Sequence, residues 1–206
     1  MNKQEKVKEI AKRLYKIWPD PKTALTYETP LQLLIATILS AQATDKLVNT
    51  VTPALFEKYK TAKDFAEASV EEIDKMISKV NFHGNKAKSI HGAAVMIVEK
   101  HDGEVPKTMQ ELDDLPGVAR KTANVVMSNA FHTAEGITVD THVMRLSKLL
   151  GLSDATTPEK VEEDLMKIVP KELWIDLPHL LINYGREYAP ARGGKPGHPL
   201  EDLFVN

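Results

Sequence analysis

Apolar side chains recur three and four residues apart along almost the whole chain, the spacing of one buried face of an α-helix. The first such stripe is Val7, Ile10, Ala11, Leu14 and Trp18. Thr29-Pro30, an N-cap followed by a first-turn proline, precedes the second stripe, Leu31, Leu34, Ile35, Ile38 and Leu39. Alternation typical of β-strands is confined to residues 136–139 at most. The sequence therefore predicts an all-α fold of about ten helices.

Most of the remaining helices are predicted from shorter periodic segments between turn residues. Thr44-Asp45 offers caps for a helix through Phe56, and Gly84 and Gly103 are expected to break helices. Other predicted helices cover residues 63–67, 70–78, 86–100, 141–150, 158–169 and 172–188. From Pro190 onward, proline and glycine predict an irregular tail.

The chain contains no cysteine among its 206 residues. This composition excludes a disulfide framework, a zinc ribbon, a thiolate nucleophile and an iron–sulfur cluster held by cysteines. The length is sufficient to bury a substantial core without such cross-links. No apolar run approaches the roughly 18 residues of a membrane span, and the N-terminus does not resemble a signal peptide, so we expect a cytoplasmic protein.

Charge is distributed unevenly around a formal net value of −2. Residues 1–22 carry seven basic and three acidic side chains, a surplus of +4, which leaves −6 for the rest of the chain. A polyanionic partner would therefore have to be bound by a local basic patch. The alternative interpretation of the N-terminal run is an ordinary solvated helix face.

The most informative segment is Leu112–Val126, two short helical stretches joined by Pro116-Gly117. Gly117 permits a positive φ and a close approach of the backbone to a partner. The helix that follows would begin with free backbone N–H groups, a site suited to a phosphate oxygen. Arg120 and Lys121 add positive charge there, although such a turn could also be a simple corner between two helices.

This segment resembles the helix-hairpin-helix of the endonuclease III branch of DNA repair glycosylases, whose pattern is L-P-G-V-G-R-K-T-A-N-V-V. Ala119 stands where the pattern has its second glycine. The resemblance extends over nearly the whole chain, through the blocks at residues 39–45, 103–106, 139–142 and 184–186. It implies two helical domains flanking a DNA-binding cleft. One domain would comprise residues 22–132 with the hairpin, and the other residues 1–21 plus 133–206.

Lys121 and Asp140 are the predicted catalytic residues. The dipole of the following helix and the neighbouring Arg120 both disfavour the ammonium form of Lys121, as a nucleophilic amine requires. Asp140 is a predicted N-cap, and the resemblance adds a role in stabilising positive charge on the sugar. The resemblance also implies that Lys121 attacks C1′ of a flipped nucleotide in duplex DNA and that the Schiff base breaks the strand by β-elimination.

The resemblance implies further DNA contacts. Gln42 and either Phe82 or His83 would fill the space left by the flipped nucleotide, and Lys86 would meet a phosphate. His142 is expected to orient structure rather than to transfer protons. Hairpin contacts are expected from Gly117, Ala119, Arg120 and Thr122, and further phosphate contacts from Arg186, Arg192 and Lys195.

The C-terminal tail departs most from the family pattern. Relatives commonly end in a C-x6-C-x2-C-x5-C arrangement that holds a four-iron–four-sulfur cluster. Ala189, His198 and Phe204 stand at three of those positions, and the second cysteine position falls in a deletion near residues 196–197. One histidine cannot hold a cluster, so we expect no cofactor. We expect the tail to be held by its prolines and by Leu200, Leu203 and Phe204 packing on the core.

The resemblance implies a base-excision glycosylase with AP lyase activity on oxidised pyrimidines, which we expect to be monomeric and associated with the nucleoid. Its partner would be double-stranded DNA with a damaged base or an abasic site, with no membrane involved. Two alternatives remain: a glycosylase of the same fold for another lesion or mismatch, and a helix-hairpin-helix module that binds DNA without catalysis.

Overall fold

In the computed structural model, which describes residues 1–192 and 196–205, the chain is helical and contains no β-strand over those ranges. The α-helices are α1 Lys3–Tyr15, α2 Pro30–Ser40, α3 Asp45–Lys58, α4 Ala62–Glu67, α5 Val70–Met76, α6 His83–Lys100, α7 Met109–Asp113, α8 Arg120–Ala130, α9 Thr141–Leu149, α10 Pro158–Ile168 and α11 Asp176–Glu187. Short 3-10 helices span Lys171–Leu173 and Glu201–Leu203. This confirms the predicted fold class. Within the described ranges, none of the helices has the length and apolar character needed to cross a membrane.

Several helices begin at the predicted capping residues. The Thr29 hydroxyl accepts a hydrogen bond from the Gln32 N–H, and Pro30 occupies the first helical position of α2. The Thr44 hydroxyl accepts in the same way from the Leu47 N–H at the start of α3. Each cap satisfies one of the backbone donors that a helix N-terminus leaves unpaired.

Two predicted helix boundaries were wrong. Gly84 lies inside α6 and does not break it, because a glycine lowers helix propensity only modestly and tertiary packing overrides that preference. The helix predicted over 172–188 is divided into the 3-10 helix Lys171–Leu173 and α11. Pro178 explains the start of α11 at Asp176, since proline lacks an N–H and is tolerated in the first turn of a helix.

One compact unit comprises residues 23–133 and contains α2 to α8. Its central element is α2, in which every residue from Leu33 to Leu39 is buried. A helix that is apolar on all sides belongs in the middle of a core. It packs against α3, α6 and α8. The unit therefore provides a rigid support for the residues that follow α2 and for the hairpin that precedes α8.

The other compact unit combines residues 1–22 with the described residues from Ala134 onward and contains α1, α9, α10 and α11. The predicted stripe on α1 is part of its core, and Val7, Ile10 and Leu14 are fully buried. Leu200 and Leu203 are buried in the same core and Phe204 packs against it, which confirms the predicted packing of the tail. The Tyr184 hydroxyl is hydrogen-bonded to Nδ1 of His198 at 2.6 Å.

Two of the basic side chains on α1, those of Lys3 and Lys6, form hydrogen bonds within the protein. Lys3 Nζ donates to the Leu152 carbonyl, and Lys6 Nζ donates to the carbonyls of Leu150 and Leu203, each at 2.9 Å. Carbonyls at the C-terminal end of a helix lack intrahelical partners and attract cations. Lys6 therefore caps the end of α9 and holds the tail, whereas Lys3 binds the turn just beyond α9; neither contact was predicted from the sequence.

Candidate nucleic-acid interface

The turn between α7 and α8 adopts the predicted hairpin conformation. Gly117 has a φ of +77°, which confirms the expected positive φ. A Cβ atom at this position would overlap Ser89 on α6, lying 2.6 Å from its Oγ. Leu112, Leu115 and Val118 are buried beneath the turn. Glycine is thus required both by the backbone conformation and by the close approach to α6.

The start of α8 presents backbone donors beside basic side chains. Ala119 is the N-cap residue, with extended φ and ψ of −111° and 168°, and its methyl group provides no capping oxygen. The first N–H groups of a helix have no intrahelical acceptor, so those at the start of α8 can bind an anion. Ala119, Arg120 and Lys121 are exposed and Thr122 is half-buried. The structure therefore brings together the four predicted hairpin contacts, including Gly117 at the preceding turn, and the predicted nucleophile Lys121.

Asp140 caps α9, as predicted. Its Oδ1 accepts a hydrogen bond of 2.8 Å from the Val143 N–H, and the residue is half-buried. The same cap places its negative charge at the positive end of the helix dipole. Asp140 is therefore held as a fixed carboxylate by local backbone geometry.

His179 belongs to the surroundings of Asp140, and sequence reasoning missed it. Burial lowers the pKa of His179, and the nearby carboxylates of Asp176 and Asp140 oppose this shift. Asp176 Oδ2 also accepts a hydrogen bond of 2.5 Å from the Tyr15 hydroxyl, and burial and this carboxylate both raise the pKa of Tyr15. The spacing of Asp176 and His179, three residues apart on one helix, was the only signal of this cluster in the sequence.

The wedge candidates lie on two adjacent segments. Gln42 follows the end of α2, is exposed and has a φ of +54°. Phe82 precedes α6, has a φ of +58°, and is 60% exposed. A large apolar side chain held out in solvent in the left-handed region is uncommon and indicates a function outside the core. His83 Nδ1 instead lies 2.5 Å from Asp74 Oδ1, so its ring is engaged within the protein. This difference favours Phe82 over His83 as the wedge.

Lys86 differs from its prediction as a phosphate contact. Its side chain is buried, and Nζ donates to the carbonyls of Leu39 and Ala41 at 2.7 and 2.6 Å. Burial lowers the pKa of this lysine. The physical reason for the difference is the C-terminal end of α2, whose unpaired carbonyls bind the ammonium group inside the protein.

The predicted C-terminal contacts are only partly described. Arg186 is exposed in the last turn of α11 and Arg192 is exposed beyond it, whereas Lys195 lies outside the described residues. The His142 ring packs against Gly185, where a Cβ atom would lie 2.7 Å from Nδ1. This contact is consistent with the orienting role predicted for His142. Across residues 1–192 and 196–205, no group of acidic or histidine side chains is arranged to hold a metal ion.

Comparison with known proteins gives a consistent result. Residues 35–171 match the family model described as HhH-GPD superfamily base excision DNA repair protein. Endonuclease III of Synechocystis is 51% identical over 191 residues, covering 93% of this chain and 87% of that protein. Endonuclease III of Escherichia coli is 40% identical over 204 residues, covering 98% and 96%. The structure of a trapped Endonuclease III–DNA covalent intermediate, an estranged-adenine complex, has a TM-score of 0.92 at 43% identity and covers 99% of this chain and 96% of that one.

Proposed function

This chain belongs to the HhH-GPD superfamily of base excision DNA repair proteins, within the endonuclease III family, and we propose that Lys121 and Asp140 are its catalytic residues. The chain is a DNA glycosylase with AP lyase activity on oxidised pyrimidines, and its partner is damaged duplex DNA. We further infer that it acts at the nucleoid, where this substrate is found.

The position of Lys121 supports its role as the nucleophile. It is exposed in the first turn of α8, a helix start without a side-chain cap from Ala119, which suits a DNA phosphate. A lysine here is brought to the sugar by the same contacts that hold the backbone. Nζ of Lys121 attacks C1′ of the flipped nucleotide, and the C1′–N bond electrons leave with the damaged base.

Strand cleavage follows from the covalent intermediate. A proton then passes from Nζ to O4′ and the C1′–O4′ bond breaks, which opens the sugar and leaves a Schiff base between Lys121 Nζ and C1′. This Schiff base makes the C2′ proton acidic. Loss of that proton forms the C2′–C3′ double bond and expels the 3′ phosphate by β-elimination. The carboxylate of Asp140 supports the positive charge that develops on the sugar as the base departs.

Borohydride trapping tests the assignment of Lys121. Borohydride reduces a Schiff base to a stable amine, so the wild-type protein should form a covalent adduct with a duplex that contains one abasic site. Lys121→Ala should form none. Lys63→Ala removes an exposed lysine of the same unit on α4 and should trap like the wild type. Trapping by Lys121→Ala at the wild-type rate would refute the assignment, and no adduct with the wild type would indicate a monofunctional glycosylase or an inert DNA-binding module.

We also propose that the protein works without an iron–sulfur cluster. The chain contains no cysteine. Ala189 is buried, His198 is hydrogen-bonded to Tyr184, and Phe204 packs against the His198 ring at a centroid distance of 5.0 Å. The residues at these positions therefore do not fit a cluster and instead form an apolar, hydrogen-bonded contact. Iron and acid-labile sulfide assays on the purified protein test this, and stoichiometric iron would overturn it.

A further inference from the structure

Lys86 occupies an unusual position for a lysine. Only 7% of the residue is exposed, and its Nζ is bound by the Leu39 and Ala41 carbonyls at the end of α2. The carbonyls of the last turn of a helix have no intrahelical donor, and the negative end of the helix dipole adds to their attraction for a cation. The ammonium group is thus a tertiary cap on α2, supplied from α6.

The cap lies directly beside the two wedge candidates. Ala41, whose carbonyl is bound by Lys86, immediately precedes Gln42. Asn81 provides a second link, because its Nδ2 donates to the Gln42 carbonyl at 3.3 Å. Phe82 lies between Asn81 and Lys86 in the sequence. Hydrogen bonds from Asn81 and Lys86, on either side of Phe82, therefore join this segment to the segment that carries Gln42.

The backbone conformation of both wedges makes such support necessary. Gln42 and Phe82 have φ values of +54° and +58°. Residues with a Cβ atom occupy this left-handed region at an energetic disadvantage, and they stay there when surrounding contacts hold them. The two links supply such tertiary contacts to the segments that carry both side chains.

We propose that Lys86 is a positioning residue that holds Gln42 and Phe82 at a fixed spacing for insertion into the base stack. This inference rests on the proposed function, in which those side chains replace the flipped nucleotide. Lys86 acts through the backbone at residues 39–42 and does not bind a DNA phosphate. Its ammonium could reach a phosphate only by leaving both carbonyls.

The first test replaces Lys86 by methionine, which keeps a long apolar stem and removes the charge. We expect the single-turnover excision rate from a paired, damaged duplex to fall 10- to 100-fold, because small misplacements of positioning groups have effects of about that size. Lys100→Met, at the exposed end of the same helix, should excise like the wild type. An excision rate for Lys86→Met within twofold of wild type would overturn the proposal.

The salt dependence of DNA affinity distinguishes a residue that positions the wedge side chains from one that binds a DNA phosphate. A lost phosphate contact lowers the slope of log affinity against log salt by about one, whereas a misplaced wedge leaves the slope unchanged. We therefore expect equal slopes for wild type and Lys86→Met. A slope reduced by one unit would assign Lys86 to the phosphate backbone and overturn the proposal.

A comparison of combined variants tests whether Lys86 acts through Gln42 and Phe82. If it does, adding Lys86→Met to the variant that carries Gln42→Ala and Phe82→Ala should lower the excision rate by no more than about threefold, because a positioning residue has no effect once its targets are gone. A further loss of rate as large as that of Lys86→Met alone would overturn the proposal. Asn81→Ala serves as a second variant if Lys86→Met does not fold. It should reduce the excision rate at least threefold and lose this effect when Gln42→Ala and Phe82→Ala are both present, and an unchanged rate for Asn81→Ala would then overturn the proposal.

Substrate choice distinguishes positioning from a general loss of structure. An abasic site is already unpaired, so its extrusion requires less unstacking than a paired base. Lys86→Met should therefore slow excision of the paired lesion by a larger factor than it slows borohydride trapping on the abasic duplex. Equal reductions of the two rates would overturn the proposal. Failure of the wild type itself to excise or trap would instead refute the proposed function.

Discussion

Gly117 and Ser89 approach so closely that the hairpin turn has no room for a side chain at position 117. An added Cβ atom would overlap the serine side chain and lie 2.6 Å from its Oγ. The turn and α6 therefore fit together only through a glycine. This contact places the start of α8, and with it Lys121, relative to the rest of its unit.

Gly117→Ala should destabilise the protein and weaken DNA binding. The left-handed backbone alone accounts for about 1–2 kcal/mol, and the overlap with Ser89 adds to it. Gly103→Ala is the matched control, because Gly103 has a φ of +83° with no atom within 4 Å of the added Cβ. Chemical denaturation should show a larger loss for Gly117→Ala, and adding Ser89→Gly should recover the excess. Equal losses for both alanine variants would show that the close approach has no energetic consequence.

Asp140→Asn should separate capping from charge. Asparagine caps a helix about as well as aspartate, so the free energy of unfolding of Asp140→Asn should stay within about 1 kcal/mol of the wild-type value. Asp140→Ala also loses the hydrogen bond from Val143 and should be less stable by about 0.5–2 kcal/mol than wild type. Both variants should excise on the order of 100-fold more slowly, because the carboxylate charge is lost. Wild-type excision by Asp140→Asn would restrict Asp140 to capping.

His179 should make the protein less stable in mild acid. Burial lowers its pKa in the folded state, so the unfolded chain binds more protons as the pH falls below the ordinary value of about 6.5. Its contribution to stability is therefore complete above that pH and is lost as the pH falls toward the lowered pKa. The slope from this one group is at most about 1.4 kcal/mol per pH unit. Chemical denaturation between pH 7.5 and 5 should show that the free energy of unfolding falls less steeply with pH for His179→Gln than for the wild type. The same decline in both proteins would contradict this role of His179.

Arg13→Leu should release the C-terminal tail. Arg13 Nη1 donates to the Pro199 carbonyl at 3.0 Å and to Asp202 Oδ1 at 2.6 Å, and it lowers the pKa of Asp202. The Val205 N–H, which donates to the Leu149 carbonyl, should exchange with solvent about tenfold faster once this anchor is lost. The control Lys12→Leu removes an exposed neighbour whose ion pair with Glu9 is long, at 3.9 Å. Equal exchange in both variants would show that Arg13 does not hold the tail.

Much of the candidate site could be predicted because its chemistry is local. The positive φ of Gly117, the uncapped start of α8 and the cap formed by Asp140 all depend on residues within a few positions of one another. The choice between Phe82 and His83 could not be made in this way. It depends on Asp74, nine residues away, which engages the His83 ring in the folded chain.

The helical class, the capping residues of α2, α3 and α9, and the hairpin could all be predicted without a structure, because helical periodicity, side-chain caps and the freedom of glycine act over one or two turns. The role of each individual cation depends instead on tertiary contacts. Lys86 and Lys121 look alike in the sequence, yet one is bound inside by carbonyls 45 and 47 residues away and the other is exposed at a helix start. The difference is physical: an ammonium group binds whichever unpaired acceptors folding brings within reach, and those acceptors come from distant helix ends.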